Sequence, residues 1–177
     1  MIQDFLAGRT EKERAILAIV VGGVVAGTID ILYAGLCYGW DLILAISAGL
    51  VGLKALRVGG VGYYALGLLL HFFISLTFAA FYYVSSRKWT FLRDSWIVCG
   101  LAYGAAVQIV MMYIVLPFLT VTHPHGPYEL NEVLVGLGAH MVVIGLPISY
   151  SVRLFTKSAG SHTWAASKSM GMREDIA

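Results

Sequence analysis

Charge is what this 177-residue chain has least of: Asp, Glu, Lys and Arg together make up 12% of it, where a soluble domain carries about 25%. With 59% hydrophobic residues and a mean hydropathy of +0.80, that shortage excludes an ordinary water-soluble globule. The net charge of +2 and the lack of a basic stripe interleaved with aromatics exclude a nucleic-acid partner. Cysteine is nearly absent too. Cys37 and Cys99 fall at opposite ends of apolar segments, which argues against an intrachain disulfide, and no Cys-x-x-Cys pair offers a metal site. Nucleophile elbows, phosphate loops, HExxH and paired catalytic carboxylates are all missing, so no motif argues for an enzyme. A cleavable signal peptide is not expected either. The first apolar run is too long and lacks a small-residue cleavage site, so it reads as a retained anchor.

What the chain does have is four long apolar runs. Residues 1–14 form a charged leader in which Thr10 and Glu13 have the spacing of a capping box, so a helix is expected to start there. Spans are expected at 15–38, 62–84, 96–119 and 133–152. Together they make one all-α membrane domain over 15–155, a four-transmembrane-helix bundle. The first run covers about 36 Å as helix, enough for a hydrocarbon core of about 30 Å. Helix is close to forced, because backbone left unpaired in lipid is too costly. Residues 41–53, DLILAISAGLVGL, reach only about 20 Å and predict a short interfacial or re-entrant helix. Asp41 would sit at its N-terminus, with Lys54 and Arg57 at its C-terminus. Gly59, Gly60 and Gly62 read as a flexible link into the second span. The polar stretch 156–177 is expected to be a mobile cytoplasmic tail.

Lysine and arginine set the expected orientation. Of the 12 such residues, only Lys54 and Arg57 fall on one side. The leader (Arg9, Lys12, Arg14), the link between spans two and three (Arg87, Lys88, Arg93) and the tail (Arg153, Lys157, Lys168, Arg173) fall on the other. Both termini are therefore expected in the cytoplasm.

Ionisable groups inside a membrane are expensive, and each needs a reason. Asp30, His71 and His140 lie on three different spans, all roughly 11 to 14 Å from the outer end of their helix by helical rise. Gln108, Met111 and Met112 of span three fall near the same level, and Gln108 joins the other three in one polar layer. Four readings stay open for that layer: hydrogen bonds that fix helix packing; proton or ion handling by imidazole beside carboxylate; a metal or haem held by His71 and His140 with Met111 or Met112; and binding of lipid, quinone or another small apolar ligand. No cofactor is predicted outright, and haem or a metal ion is the alternative. The link between spans three and four adds His123, His125 and Glu129, a candidate outer-loop metal set that reads equally as a stiff loop around Pro124 and Pro127.

Gly23 with Gly27, and Gly100 with Gly104, form GxxxG pairs that let helices approach closely, inside the bundle or at a homodimer seam. Pro117 and Pro147 are expected to bend spans three and four. Tyr63, Tyr64, Tyr82, Tyr83, Trp40, Trp89 and Trp96 read as an aromatic belt. GLLLHFFI at 67–74 and GLGAHMVVI at 136–144 hint at a duplication of two helical hairpins.

The runs AGTIDILYAG (26–35), LGLLLHFFIS (66–75), GLAYGAAVQIVMMYIVLP (100–117) and HMVVIGLPIS (140–149) resemble a group of small uncharacterised bacterial four-helix inner-membrane proteins. The resemblance implies four helices in a bacterial plasma membrane and treats Asp30, His71 and His140 as matching positions. It implies no activity. The leading expectation is a non-enzymatic accessory or structural subunit of a membrane complex, with the lipid bilayer, a homodimer or a larger complex as partners. The alternatives are a haem-, metal- or proton-handling protein built on the Asp/His layer, and a small-solute transporter or channel working as an oligomer.

Overall fold

The computed structural model describes residues 5–6, 8–119 and 129–156. His123, His125 and the tail beyond Thr156 lie outside the described residues. Helix α1 (Glu11–Tyr38) opens on the expected capping box: the Glu13 amide donates to Thr10 Oγ1 at 3.3 Å, and the Thr10 amide donates to Glu13 Oε2 at 2.7 Å. It ends at Gly39, whose φ of 87° suits a residue without Cβ. The short helix α2 (Leu42–Val51) follows, as expected, but it stops earlier than its apolar run. Gly52 turns the chain with φ 75°, so Lys54 and Arg57 do not cap α2. They sit on a separate turn, α3 (Lys54–Val58). Asp41 does not cap α2 through its side chain either; it accepts from the Tyr64 hydroxyl at 3.0 Å instead. Gly59 and Gly60, at φ 62° and 101°, then make the hinge into α4 (Val61–Lys88). Gly62 already belongs to that helix.

After α5 (Phe91–Asp94) the third span runs as α6 (Trp96–Val110), a π-helical segment Met111–Val115, and α7 (Leu116–Leu119). The fourth runs as α8 (Leu130–His140), a π-helical segment Met141–Gly145, and α9 (Leu146–Thr156). Four helices are thus long and apolar enough to cross a membrane, and the chain is a multi-pass, all-α membrane protein with a short helix after its first span. Four crossings bring the described ends of the chain to the same end of the bundle, termed here the arginine end.

Helix α1 lies between α4 and α9, α6 packs on the fourth span, and α2 leans on α4. The buried centre is made of small and medium side chains, among them Ala18, Ala26, Ala79, Val107, Ile144, Ile148 and Val152. Larger apolar groups such as Leu36, Leu69, Phe73 and Val98 remain exposed. Acyl chains are as apolar as leucine, so moving these groups inward would stabilise little. Association therefore rests on close approach and interhelical hydrogen bonds. Tyr82 departs from the expected belt. It is 1% exposed, and its hydroxyl donates to Leu92 O at 2.8 Å.

Candidate functional site

The first two spans show how small residues and polar side chains work together. A Cβ on Gly23 would collide with Leu76, and one on Gly27 would lie 3.1 Å from Phe72 Cδ1 and from the Ser75 side chain. The glycines therefore let α4 come close enough for side chains to reach backbone. Ser75 Oγ donates to Gly23 O at 2.7 Å, and His71 Nε2 donates to Gly27 O at 2.8 Å. Donors four residues apart on α4 meet carbonyls four residues apart on α1, so both bonds share one helix face. On the other side of α1, Ser151 Oγ donates to Ala18 O at 3.0 Å. Because a carbonyl only accepts, the bond fixes the proton on His71 Nε2 and leaves Nδ1 for other chemistry.

The second pair of spans meets through backbone. A Cβ at Gly104 would fall on the carbonyl of His140, and one at Gly145 on the carbonyl of Gly100. Both GxxxG pairs are thus occupied inside the chain. Each π segment ends two residues before a proline, Pro117 or Pro147. Proline lacks the N–H that would continue the α register. In the first segment the Leu116 amide reaches back five residues to Met111 O, the hydrogen-bond step of a π-helix. Each expected bend thus falls beside a local widening of the helix. The two share a signal that the sequence reading passed over: MMYIVLP at 111–117 and MVVIGLP at 141–147 both read Met-x-x-Ile-x-Leu-Pro.

Between the straight pair and the widened pair lies a cavity of about 140 Å³. Asp30 of α1, His71 and Ser75 of α4, Met111 at the start of the first π segment and His140 at the end of α8 all line it, together with Ile46 and Leu50 of α2 at the short-helix end. Of the four residues read into one layer from helical depth, Asp30, His71 and His140 line this space. Gln108 and Met112 are buried but do not line it. Gln108 instead packs against Gly136, one helical turn before His140. His140 Nδ1 donates to its own helix at Gly136 O, 3.0 Å away, which leaves Nε2. The two histidines thus play different parts: one ties two helices together, the other bonds within its own. Asp30 makes no hydrogen bond or ion pair among the described residues. The rest of the lining is apolar, Leu70, Ile74, Phe78 and Val107 among it, and since an apolar cavity of about 150 Å³ stays dry, the places for water are beside the polar groups.

Other chemistries fit this space less well. Among the described residues, no group of three His, Cys, Asp or Glu side chains is placed to hold a metal ion. Sites for drug-sized ligands occupy about 300 to 1,000 Å³, well above this volume, and a haem macrocycle needs more than the cavity offers. Glu129, the described member of the outer-loop set, is exposed and precedes α8 without a side-chain cap.

Sequence reasoning did not pick out Ser75 and Ser151, although Ser75 lies four residues after His71 and so repeats the spacing of Gly23 and Gly27. Comparison of the chain with protein-family models, curated proteins and solved structures finds no match.

Proposed function

We propose that this chain is a proton-handling protein of a bacterial plasma membrane, with both termini cytoplasmic, and that the Asp30–His71–His140 cavity is where protons are held and passed on. The observation that carries this reading is the convergence of three ionisable groups, each from a different span, on one cavity with room for water. Intramembrane carboxylates and imidazoles facing a common cavity are the usual parts of proton relays. The Asp30 carboxylate and one ring nitrogen of each histidine, without partners among the described residues, supply acceptors that exchange protons with water in the cavity. The concentration of Lys and Arg at the arginine end supports the orientation, and the resemblance to small bacterial inner-membrane proteins supports the location.

An accessory role in a larger complex is the second reading, with most of the chain lying within the four spans. Glycine-faced helices free to meet a partner would favour it. The occupation of both glycine pairs inside the chain weakens it.

The test is proton flux into liposomes carrying the purified full chain, followed with an internal pH dye under an imposed potential. Asp30→Asn and His140→Gln should each lower flux at least about tenfold, the upper range for a proton-transfer group being about 10²–10⁴. Ser75→Ala, which removes a cross-helix bond but no ionisable group, should leave it within about twofold. Flux equal to that of empty liposomes, or an Asp30→Asn protein as active as wild type, would refute the reading.

A further inference from the structure

The arginine end of the bundle carries a second cavity, of about 440 Å³. Arg9, Glu11 and Arg14 from the start of the chain, Arg87 from α4 and Arg93 from α5 surround it, with the Tyr83 and Thr156 side chains completing the wall. Four guanidinium groups from three separate stretches of chain thus meet one carboxylate. That carboxylate, Glu11, is paired with Arg87. Arg14 donates to Leu6 O at 2.6 Å, and Arg9 lies 4.1 Å over the Phe5 ring. Neither contact uses Nε, and the Nε atoms of Arg9 and Arg14 are both buried without a hydrogen-bond partner among the described residues.

A topological excess of basic residues needs charge at this end but does not need it to converge. Lys12 and Lys88 show the difference. They belong to the same segments and do not line the cavity, whereas Arg87, likewise exposed, does. Converging guanidiniums repel one another, and buried donors left unsatisfied are costly. Both costs fall when an anion with several acceptor oxygens occupies the space. Planar guanidinium forks match phosphate geometry better than ammonium groups do. Trp89 and Phe91 are exposed beside the cavity-lining Arg87 and Arg93 in the chain, as side chains at a membrane–water interface are, so the cavity lies near the depth of lipid phosphates.

We infer that this arginine cavity is a binding site for a phosphate-bearing anion, either the headgroup of an anionic lipid or a small soluble phosphate. The inference is independent of the proton-handling reading, since it uses other residues at the opposite end of the spans. It is tested with the full chain in neutral detergent micelles, by thermal unfolding during titration with phosphatidylglycerol, phosphatidylcholine or inorganic phosphate. Phosphatidylglycerol should stabilise the protein, and phosphatidylcholine, whose phosphate carries its own cation, should not. Arg9→Gln combined with Arg93→Gln should weaken the apparent affinity by about tenfold or more, as expected for lost charge-assisted hydrogen bonds. Lys88→Gln should change it by less than about twofold.

If the double variant does not fold, Arg93→Gln alone serves, because no hydrogen bond among the described residues holds its side chain. Stabilisation by inorganic phosphate that the arginine variants abolish identifies a soluble ligand. Stabilisation by phosphatidylglycerol only identifies a lipid headgroup. An equal response to phosphatidylcholine, or equal weakening by Lys88→Gln and the arginine variants, would overturn the inference in favour of diffuse surface charge.

Discussion

The two pairs of spans solve the same problem in different ways. Helices α1 and α4 are unbroken for 28 residues each and are joined by side chains that donate to the partner's carbonyls, His71 to Gly27 and Ser75 to Gly23. Spans three and four are each interrupted by a π segment before a Leu-Pro step, and they meet backbone to backbone at Gly100, Gly104 and Gly145. Neither pair draws much stability from burying apolar surface, because lipid is as apolar as the interior. The difference shows that an apolar bundle obtains specificity from carbonyl groups, reached in one case by a donor and in the other by the removal of every Cβ in between. The cavity lies where the two solutions join. Asp30 and His71 come from the straight pair, Met111 and His140 from the widened one, and π segments recur at functional sites in other helices.

If this contrast is right, the widened pair tolerates added volume least. Gly104→Ala and Gly145→Ala place a methyl on backbone atoms and should each cost about 2 to 3 kcal/mol in reversible unfolding in micelles. Gly27→Ala, where a methyl meets side-chain atoms at 3.1 Å, should cost about 1 kcal/mol, near the lower end of overpacking costs. Gly138→Ala, with nothing within 4 Å of a new Cβ, should cost nothing and gain up to about 1 kcal/mol of helix propensity. Equal losses at Gly27 and Gly104 would erase the distinction between the pairs. Ser75→Ala should lose about 0.6 kcal/mol, the average found for interhelical hydrogen bonds in a membrane, measured the same way. Pro147→Ala should have the smallest effect on stability, within about 1 kcal/mol, since neighbouring groups already accommodate the missing N–H. By letting the α register run on past residue 141, however, it should turn His140 relative to the cavity and reduce proton flux. Unchanged flux would separate the π segment from function.

How much of this was legible in the sequence follows from the same physics. Length and hydropathy revealed the four spans, because crossing a membrane requires about 20 apolar residues whatever they pack against. Thr10 and Glu13 announced the first helix. Asp30, His71 and His140 stood out because ionisable groups are rare in such runs, and helical rise put them at a common depth without saying that they share a cavity. The partners were not legible. In soluble helices the apolar face names the core, but here every face is apolar, so sequence alone did not assign His71 to Gly27 or His140 to its own helix. Lys54 and Arg57 were placed at the end of the short helix by charge, while the actual stop is set by the backbone at Gly52. The arginine cavity was hidden for the opposite reason: basic residues at one end are expected from topology, and only the fold separates those that converge, Arg9 and Arg93, from those that do not, Lys12 and Lys88.

The central claim is that Asp30 and His140 act in one space, and a double-mutant cycle on proton flux tests it most directly. Asp30→Asn and His140→Gln are measured singly and together in the same liposomes. The account predicts that the double variant loses no more flux than the more damaged single variant, because both groups belong to one path. Losses that multiply would show that the two groups act independently of one another and contradict the shared cavity as the site of function.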